Sequence, residues 1–305
     1  MSLMHSAVRL PRRSCVSGVS VCVRGVCGVV SYDRYGEEAA PHTAVFVHGV
    51  LGSKKNMRTP AKEFLARNPS YSCVSVDLRG HGMSHDMEGE NSIDQCARDL
   101  HNLFHHLNIE APDFLCAHSL GGKVALKYLD FVHENDLSFP TNTWILDSLP
   151  GTYDFSDLKP DSQSVSYVIR CLDQIPVPFE SRKWALGKLL QLGVATPIAQ
   201  WLCTSVVDTP NGSKWAFNID AVKSIFKDFC VVDMWPFVEQ YDGNATIHFV
   251  RAGRQKKWTP EVLARFNSLP QYNRNIMVHT MPNAGHWLHS EDLSGLLKII
   301  QEHNR

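Results

Sequence analysis

Phe114-Leu115-Cys116-Ala117-His118-Ser119-Leu120-Gly121-Gly122 sets a serine between an apolar run of strand character and a run of helical character. A chain that turns this sharply from strand to helix holds its apex residue in a strained, positive-φ conformation. The residues two before and two after the apex must be small, because backbone passes close by. Here they are Ala117 and Gly121. The usual form of this nucleophile elbow is G-x-S-x-G, so Ala117 departs from it while keeping the size requirement. Ser119 also has a plainer reading, as the cap of a helix expected over Leu120–Leu129.

Upstream, Thr43-Ala44-Val45-Phe46-Val47 is an unbroken β-branched and aromatic run, the pattern of a strand buried on both faces. It ends in His48-Gly49-Val50-Leu51-Gly52-Ser53, where two glycines let the backbone curl and aim a main-chain N–H inward. With the N–H of Leu120, the N–H of Val50 is the expected pair of oxyanion donors. A second strand, Ser72–Val76, leads into Asp77-Leu78-Arg79-Gly80-His81-Gly82-Met83-Ser84. Asp77 and His81 precede Ser119 and read as a loop whose polar side chains hold strand ends. Downstream, Met281-Pro282-Asn283-Ala284-Gly285-His286-Trp287 lies between a strand expected over Asn275–Thr280 and a helix over Glu291–His303. Of the fifteen histidines, His286 stands out because a flexible glycine precedes it and a bulky tryptophan follows. His5, His105 and His106 read as surface residues.

Taken together, H-G-V-L-G-S, D-L-R-G-H-G-M-S, A-H-S-L-G-G-K and P-N-A-G-H-W resemble, in order and spacing, the α/β-hydrolase superfamily over about residues 40–300. The phrases N-A-G-H-W-L-H and W-A-F-N-I-D are most similar to an esterase group within it. That group includes the α/β-hydrolase domain-containing protein eleven proteins and bacterial acyl-ester hydrolases. The resemblance implies an α/β fold with a mostly parallel central sheet flanked by helices. It also implies a serine hydrolase of carboxylic esters or thioesters, with Ser119 as nucleophile and His286 as base, needing neither metal nor organic cofactor.

The acid is less plain. In most of the superfamily it follows the penultimate strand, here Ala245–Val250. The loop after it reads Arg251-Ala252-Gly253-Arg254-Gln255-Lys256-Lys257-Trp258, without a carboxylate. Asp147, at the end of the strand Thr143–Leu146, is the expected replacement, with a turn residue before Pro150-Gly151 as its plainer reading. Asp220 is the alternative, and it also reads as the N-cap of a helix over Ala221–Phe229. The basic loop itself is either a solvated surface or a handle for an anionic thioester carrier, the former being expected.

At 305 residues the chain accommodates one sizeable α/β domain with an insertion. The βα alternation stops after Asp147 and resumes at Ala245. Helical periodicities over 165–174, 181–192, 196–206 and 219–229 predict an all-helical lid at about 150–243. Most of its aromatics, Trp184, Trp201, Trp215, Trp235, Phe179, Phe217, Phe226 and Phe229, are expected to pack it onto the core, a few to line an acyl pocket. A net charge of −1 gives no nucleic-acid footprint. Nine cysteines without metal-ligand spacing, several in apolar runs, suit a reducing compartment. No apolar stretch is long enough to span a bilayer. The partner that the resemblance implies is a small-molecule acyl ester or thioester substrate.

The first thirty-two residues carry Arg9, Arg12, Arg13 and Arg24, several serines and no acid. Residues 1–27 therefore read as a targeting or disordered segment, a mitochondrial transit peptide being the expectation, with cytoplasmic or plastid location as alternatives. Pro11 shortens any amphipathic helix there, and Val21–Tyr32 reads equally as a first strand. The hydrolase domain is placed at 28–305. Two rivals remain from the residues alone. One is a non-catalytic interaction protein on the same fold; the other is a carbon–carbon bond hydrolase with the same triad.

Overall fold

The computed structural model describes residues 21–23, 28–153, 164–269 and 274–303. Eight strands form the central sheet: β1 (Val21–Val23), β2 (Tyr32–Tyr35), β3 (His42–Val47), β4 (Tyr71–Val76), β5 (Phe114–His118), β6 (Asn142–Leu146) and, after an insertion, β9 (Thr246–Ala252) and β10 (Ile276–Met281). Their order is β1-β2-β4-β3-β5-β6-β9-β10. β1 and β2 run antiparallel, as do β2 and β4, and every later pair is parallel. Among the described residues the first strand of this sheet is β1, within the stretch Val21–Tyr32 that also read as a first strand. The rest of the expected targeting segment, including Leu3, Arg9 and Arg12, lies outside the described residues.

The strand sequences show why both faces are covered. Side chains alternate along a strand. Val45, Val47, Leu115, Ala117, Ile145 and Phe249 enter one core, against α2 (Ile93–His106) and α3 (Leu120–Glu134). Ala44, Phe46, Phe114, Cys116, Trp144 and Val250 enter the other, against Phe64 of α1 (Arg58–Arg67) and Leu297 and Ile300 of the C-terminal helix Leu293–His303. Helix α2 illustrates the local logic: the Ser92 hydroxyl accepts the Gln95 N–H at 3.2 Å, and Ile93, Cys96, Ala97, Leu100, Leu103 and Phe104 follow at helical spacing on the buried side.

Residues between β6 and β9 form α4 (Val165–Leu172), α5 (Arg182–Gln191), α6 (Thr196–Cys203), α7 (Ile219–Val231) and α8 (Trp235–Gln240). The expectation of an all-helical insertion is corrected at one place. β7 (Val206–Thr209) and β8 (Gly212–Trp215) make an antiparallel hairpin between α6 and α7. The residues Val206-Val207-Asp208-Thr209-Pro210-Asn211-Gly212 explain it, since a β-branched run leading into a Pro-Asn-Gly turn favours a hairpin over a helix. The insertion has its own apolar core, which takes in Leu51 of the loop after β3, while Ile225, Phe229, Trp235 and Val238 of α7 and α8 join the core under the sheet. Lys123, fully buried on α3, ties its two ends down, donating to the carbonyls of Gly151 (2.7 Å), Phe229 (2.8 Å) and Val232 (2.9 Å). Burial lowers that ammonium to about 8. No described helix is long and apolar enough to cross a membrane.

Candidate active site

β4 and β5 flank β3 on opposite sides, so the chain order reverses there and a crevice opens at the strands' carboxyl ends. Ser119 stands at this point, between β5 and α3, with φ 54° and ψ −117°. The reason for small neighbours is visible: a Cβ on Gly121 would lie 2.5 Å from the His48 carbonyl oxygen, and one on Gly49 would lie 2.9 Å from His118 Nδ1. Ser119 occupies the N-cap position of α3 without a side-chain capping bond. Its Oγ instead lies 3.0 Å from His286 Nε2.

His286 follows β10 and precedes the short helix Leu288–Glu291. Its Nδ1–H donates to Asp147 Oδ2 at 2.6 Å, which leaves Nε2 to accept the Ser119 hydroxyl proton. His118 Nε2–H donates to the His286 carbonyl at 2.8 Å and Glu291 accepts the Gly285 N–H at 2.9 Å, so the loop is held on both sides.

Asp147 ends β6 with φ 46° and no solvent exposure. β6 pairs with β9, which brings Asp147 against the loop after β9. Oδ1 accepts from Trp258 Nε1–H (2.7 Å) and Ala252 N–H (3.2 Å); Oδ2 accepts from His286 and from Lys257 Nζ (2.9 Å). Burial alone would raise this carboxyl's pKa, but the His286 hydrogen bond and the Lys257 ammonium outweigh it and hold it below the usual range. Burial lowers the His286 imidazole; the bond to Asp147 opposes this only in part, and Lys257 adds to the lowering.

The His48–Ser53 loop borders the same point. Leu51 has φ 60° and donates its N–H to His81 Nε2 at 3.1 Å, and Gly52 N–H donates to the Gly49 carbonyl at 3.1 Å. Ser53 N–H donates to Asn56 Oδ1 at 2.7 Å, so these three loop donors are committed internally, and Val50, the expected inward donor, makes no such bond among the described residues. Leu120 is the first residue of α3, where an N–H has no intrahelical acceptor. Asp77 accepts the Lys54 and Met83 N–H groups at 2.8 and 2.9 Å, and so acts with His81 to hold strand ends.

Asp220 is not brought to this site. It lies on α7 with its side chain 84% exposed, 3.6 Å from Lys223. Nor is it the helix cap: the Asn218 side chain accepts the N–H groups of Asp220 and Ala221. The basic loop is dispersed too. Arg251 bonds Thr280, Arg254 pairs with Glu291, Lys256 is exposed and Lys257 turns inward to Asp147. His118, Lys257 and Trp258 are the site residues that sequence reasoning missed. Lys257 carried no signal beyond its charge, which by itself reads as surface.

Residues 44–295 match the model of the Alpha/beta hydrolase family. The chain belongs to this family. Among its relatives is the sn-1-specific diacylglycerol lipase ABHD11 of Mus musculus, 27% identical over 86% of this chain and 80% of that protein. Esterase YbfF of Escherichia coli (strain K12) is 23% identical over 85% of this chain and 91% of its own length. Of solved structures, a marine microorganism esterase superposes with a TM-score of 0.72 at 20% identity, covering 90% of this chain and 98% of that one. That likeness bears on the fold.

In this α/β hydrolase, Ser119 and His286 open on a cleft of about 330 Å³. Val165, Val168, Pro197, Ile198 and Trp201 of the insertion form one wall, and Trp287 faces Trp201 with ring centroids 6.1 Å apart. Of the eight aromatics singled out in the insertion, only Trp201 lines it; Trp215, Trp235, Phe179, Phe217 and Phe229 are buried in packing.

The buried histidines give the hydrolase an acid-sensitive stability. Burial lowers His48 to about 4, His81 to about 3 and His289 to about 4. In the unfolded chain a histidine titrates near 6.5. Between those values the unfolded state binds more protons, so stability is complete above pH 6.5 and is lost as pH falls toward 4. Each unit of difference is worth about 1.4 kcal/mol per group. The melting temperature is expected to drop by about 10 °C or more between pH 7 and 4.5. A flat profile in a thermal-shift series would contradict the neutral, buried state of these rings.

Proposed function

We propose that this α/β hydrolase is a serine hydrolase of carboxylic esters or thioesters, working through Ser119, His286 and Asp147 by way of an acyl-enzyme. The observation that carries the reading is the continuous path from Ser119 Oγ to His286 Nε2 (3.0 Å) and from His286 Nδ1 to Asp147 (2.6 Å), opening on a largely apolar cleft. Ser119 attacks the acyl carbon as His286 takes its proton, and Asp147 stabilises the resulting imidazolium. The N–H groups of Val50 and Leu120 receive the oxyanion, each contributing about 3 kcal/mol. His286 then protonates the leaving group, and water repeats the sequence to release the acid. The same path weighs against a non-catalytic protein, for which a strained serine and a buried carboxylate would be costly and idle.

Substrate choice follows from the cleft. Among the described residues its lining includes no Lys or Arg, and Arg251, Arg254 and Lys257 of the basic loop are paired elsewhere. Neutral acyl esters or thioesters suit it better than substrates recognised by a phosphate. The test is a chain-length series of esters and thioesters with Ser119→Ala as control. Each methylene buried contributes about 0.8 kcal/mol, so kcat/KM should rise about fourfold per carbon until the cleft is full. A flat series, or a clear preference for a coenzyme A thioester over a neutral thioester of equal acyl length, would refute this assignment. The Arg- and Ser-rich residues 1–32 support mitochondrial delivery as part of the same reading.

A further inference from the structure

The loop after β9, where the superfamily resemblance leads one to expect the acid, delivers a cation to the same place. Lys257 Nζ lies 2.9 Å from Asp147 Oδ2, 2.7 Å from the Asp147 carbonyl oxygen and 3.5 Å from His286 Nδ1. The last contact is no hydrogen bond. His286 Nδ1 carries its proton toward Asp147, and an ammonium has no lone pair, so two donors converge on one carboxylate oxygen. While His286 is neutral this is tolerable. Once it is protonated, two cations stand side by side.

We propose that Lys257 is a positioning residue that clamps Asp147 and sets the acidic edge of the pH range over which His286 serves as base. The proposal rests on the hydrolase reading above. The clamp is two-sided: Nζ holds the carboxylate facing His286, and it also anchors the carbonyl of a non-glycine residue at φ 46°, a conformation that needs outside support. The electrostatic part follows from the surroundings of His286. Facing it are Asp147 from β6, Lys257 from the loop after β9, His118 from β5, and His289 and Glu291 from the following helix, with Arg254 paired to Glu291. Burial keeps His118 and His289 neutral at working pH. Lys257 is thus the cation nearest the imidazole among the described residues, and its side chain is only 22% exposed, so solvent screens it weakly.

The test is the pH dependence of Ser119 labelling by a fluorophosphonate, which needs neutral His286 and no knowledge of the natural substrate. Rates are normalised to each variant's plateau, so the midpoint does not depend on the folded fraction. Removing a like charge at this distance should move the midpoint of the acidic limb up by about one unit in Lys257→Met, a loss in relative rate that approaches about tenfold at pH values below the wild-type midpoint. Lys257→Arg, which keeps the charge, should stay with the wild type. If the methionine variant cannot be recovered folded, Lys257→Gln makes the same comparison. A lower plateau with an unmoved midpoint overturns the proposal, because a structural prop alone gives that result. Absence of Ser119 labelling in the wild type defeats the hydrolase reading and this proposal with it.

Discussion

Ser119→Ala is expected to abolish fluorophosphonate labelling and to lower ester turnover by about 10⁴–10⁶-fold. The size follows from what the hydroxyl does: without it there is no acyl-enzyme, and what remains is catalysis by the oxyanion donors and by binding alone. Stability should change little. The Ser119 side chain caps no N–H of α3, and alanine removes one hydroxyl from a wall that already includes the apolar Val50 and Leu51. KM or the binding of a product acid should therefore stay within about threefold of wild type. Labelling that persists in the variant, at another serine, would show that the strained elbow is not the nucleophile.

Asp147→Asn should cost about 10⁴-fold in kcat, the loss known when the corresponding aspartate of the serine-protease triad is amidated. The structure suggests why the effect would be as large here. Trp258 Nε1–H, Ala252 N–H, Lys257 Nζ and His286 Nδ1–H all point at this carboxylate. An amide accepts at one end only, so at least one donor meets an NH₂ group, and His286 can answer by exchanging tautomers, which removes the base from Ser119. Leaving a buried donor unpaired adds a stability loss of about 1–3 kcal/mol. Asp220→Asn, on an exposed turn of α7, is expected to stay within about twofold of wild type in kcat and within about 2 °C in melting temperature. The reverse ranking in steady-state kinetics and thermal melts would overturn the assignment of the acid.

Much of this was legible along the chain. The elbow leaves a local mark, because a small residue is required at 121, where the His48 carbonyl oxygen passes so closely. Strand ends before His48, Asp77 and Asp147 are marked by apolar β-branched runs that stop at polar residues. The hairpin at 206–215 was hidden among helical periods, since four-residue strands carry too little alternation to stand out. Asp220 drew attention because a carboxylate ahead of an apolar run reads as a cap, yet Asn218, two residues earlier, holds that position.

Local backbone geometry writes itself into nearby residues, which is why several strand ends, the turn at Ser119 and the loop of His286 could be read in one dimension. The partnership of Asp147 with His286 spans 139 residues and depends on β6 lying beside β9. No spacing encodes such a neighbour. The inward turn of Lys257 belongs to the same kind of fact: a lysine on a basic loop looks solvated until the fold sets a buried carboxylate 2.9 Å from its tip. Side-chain electrostatics is a property of distance in space, and distance in space is what the packed sheet supplies.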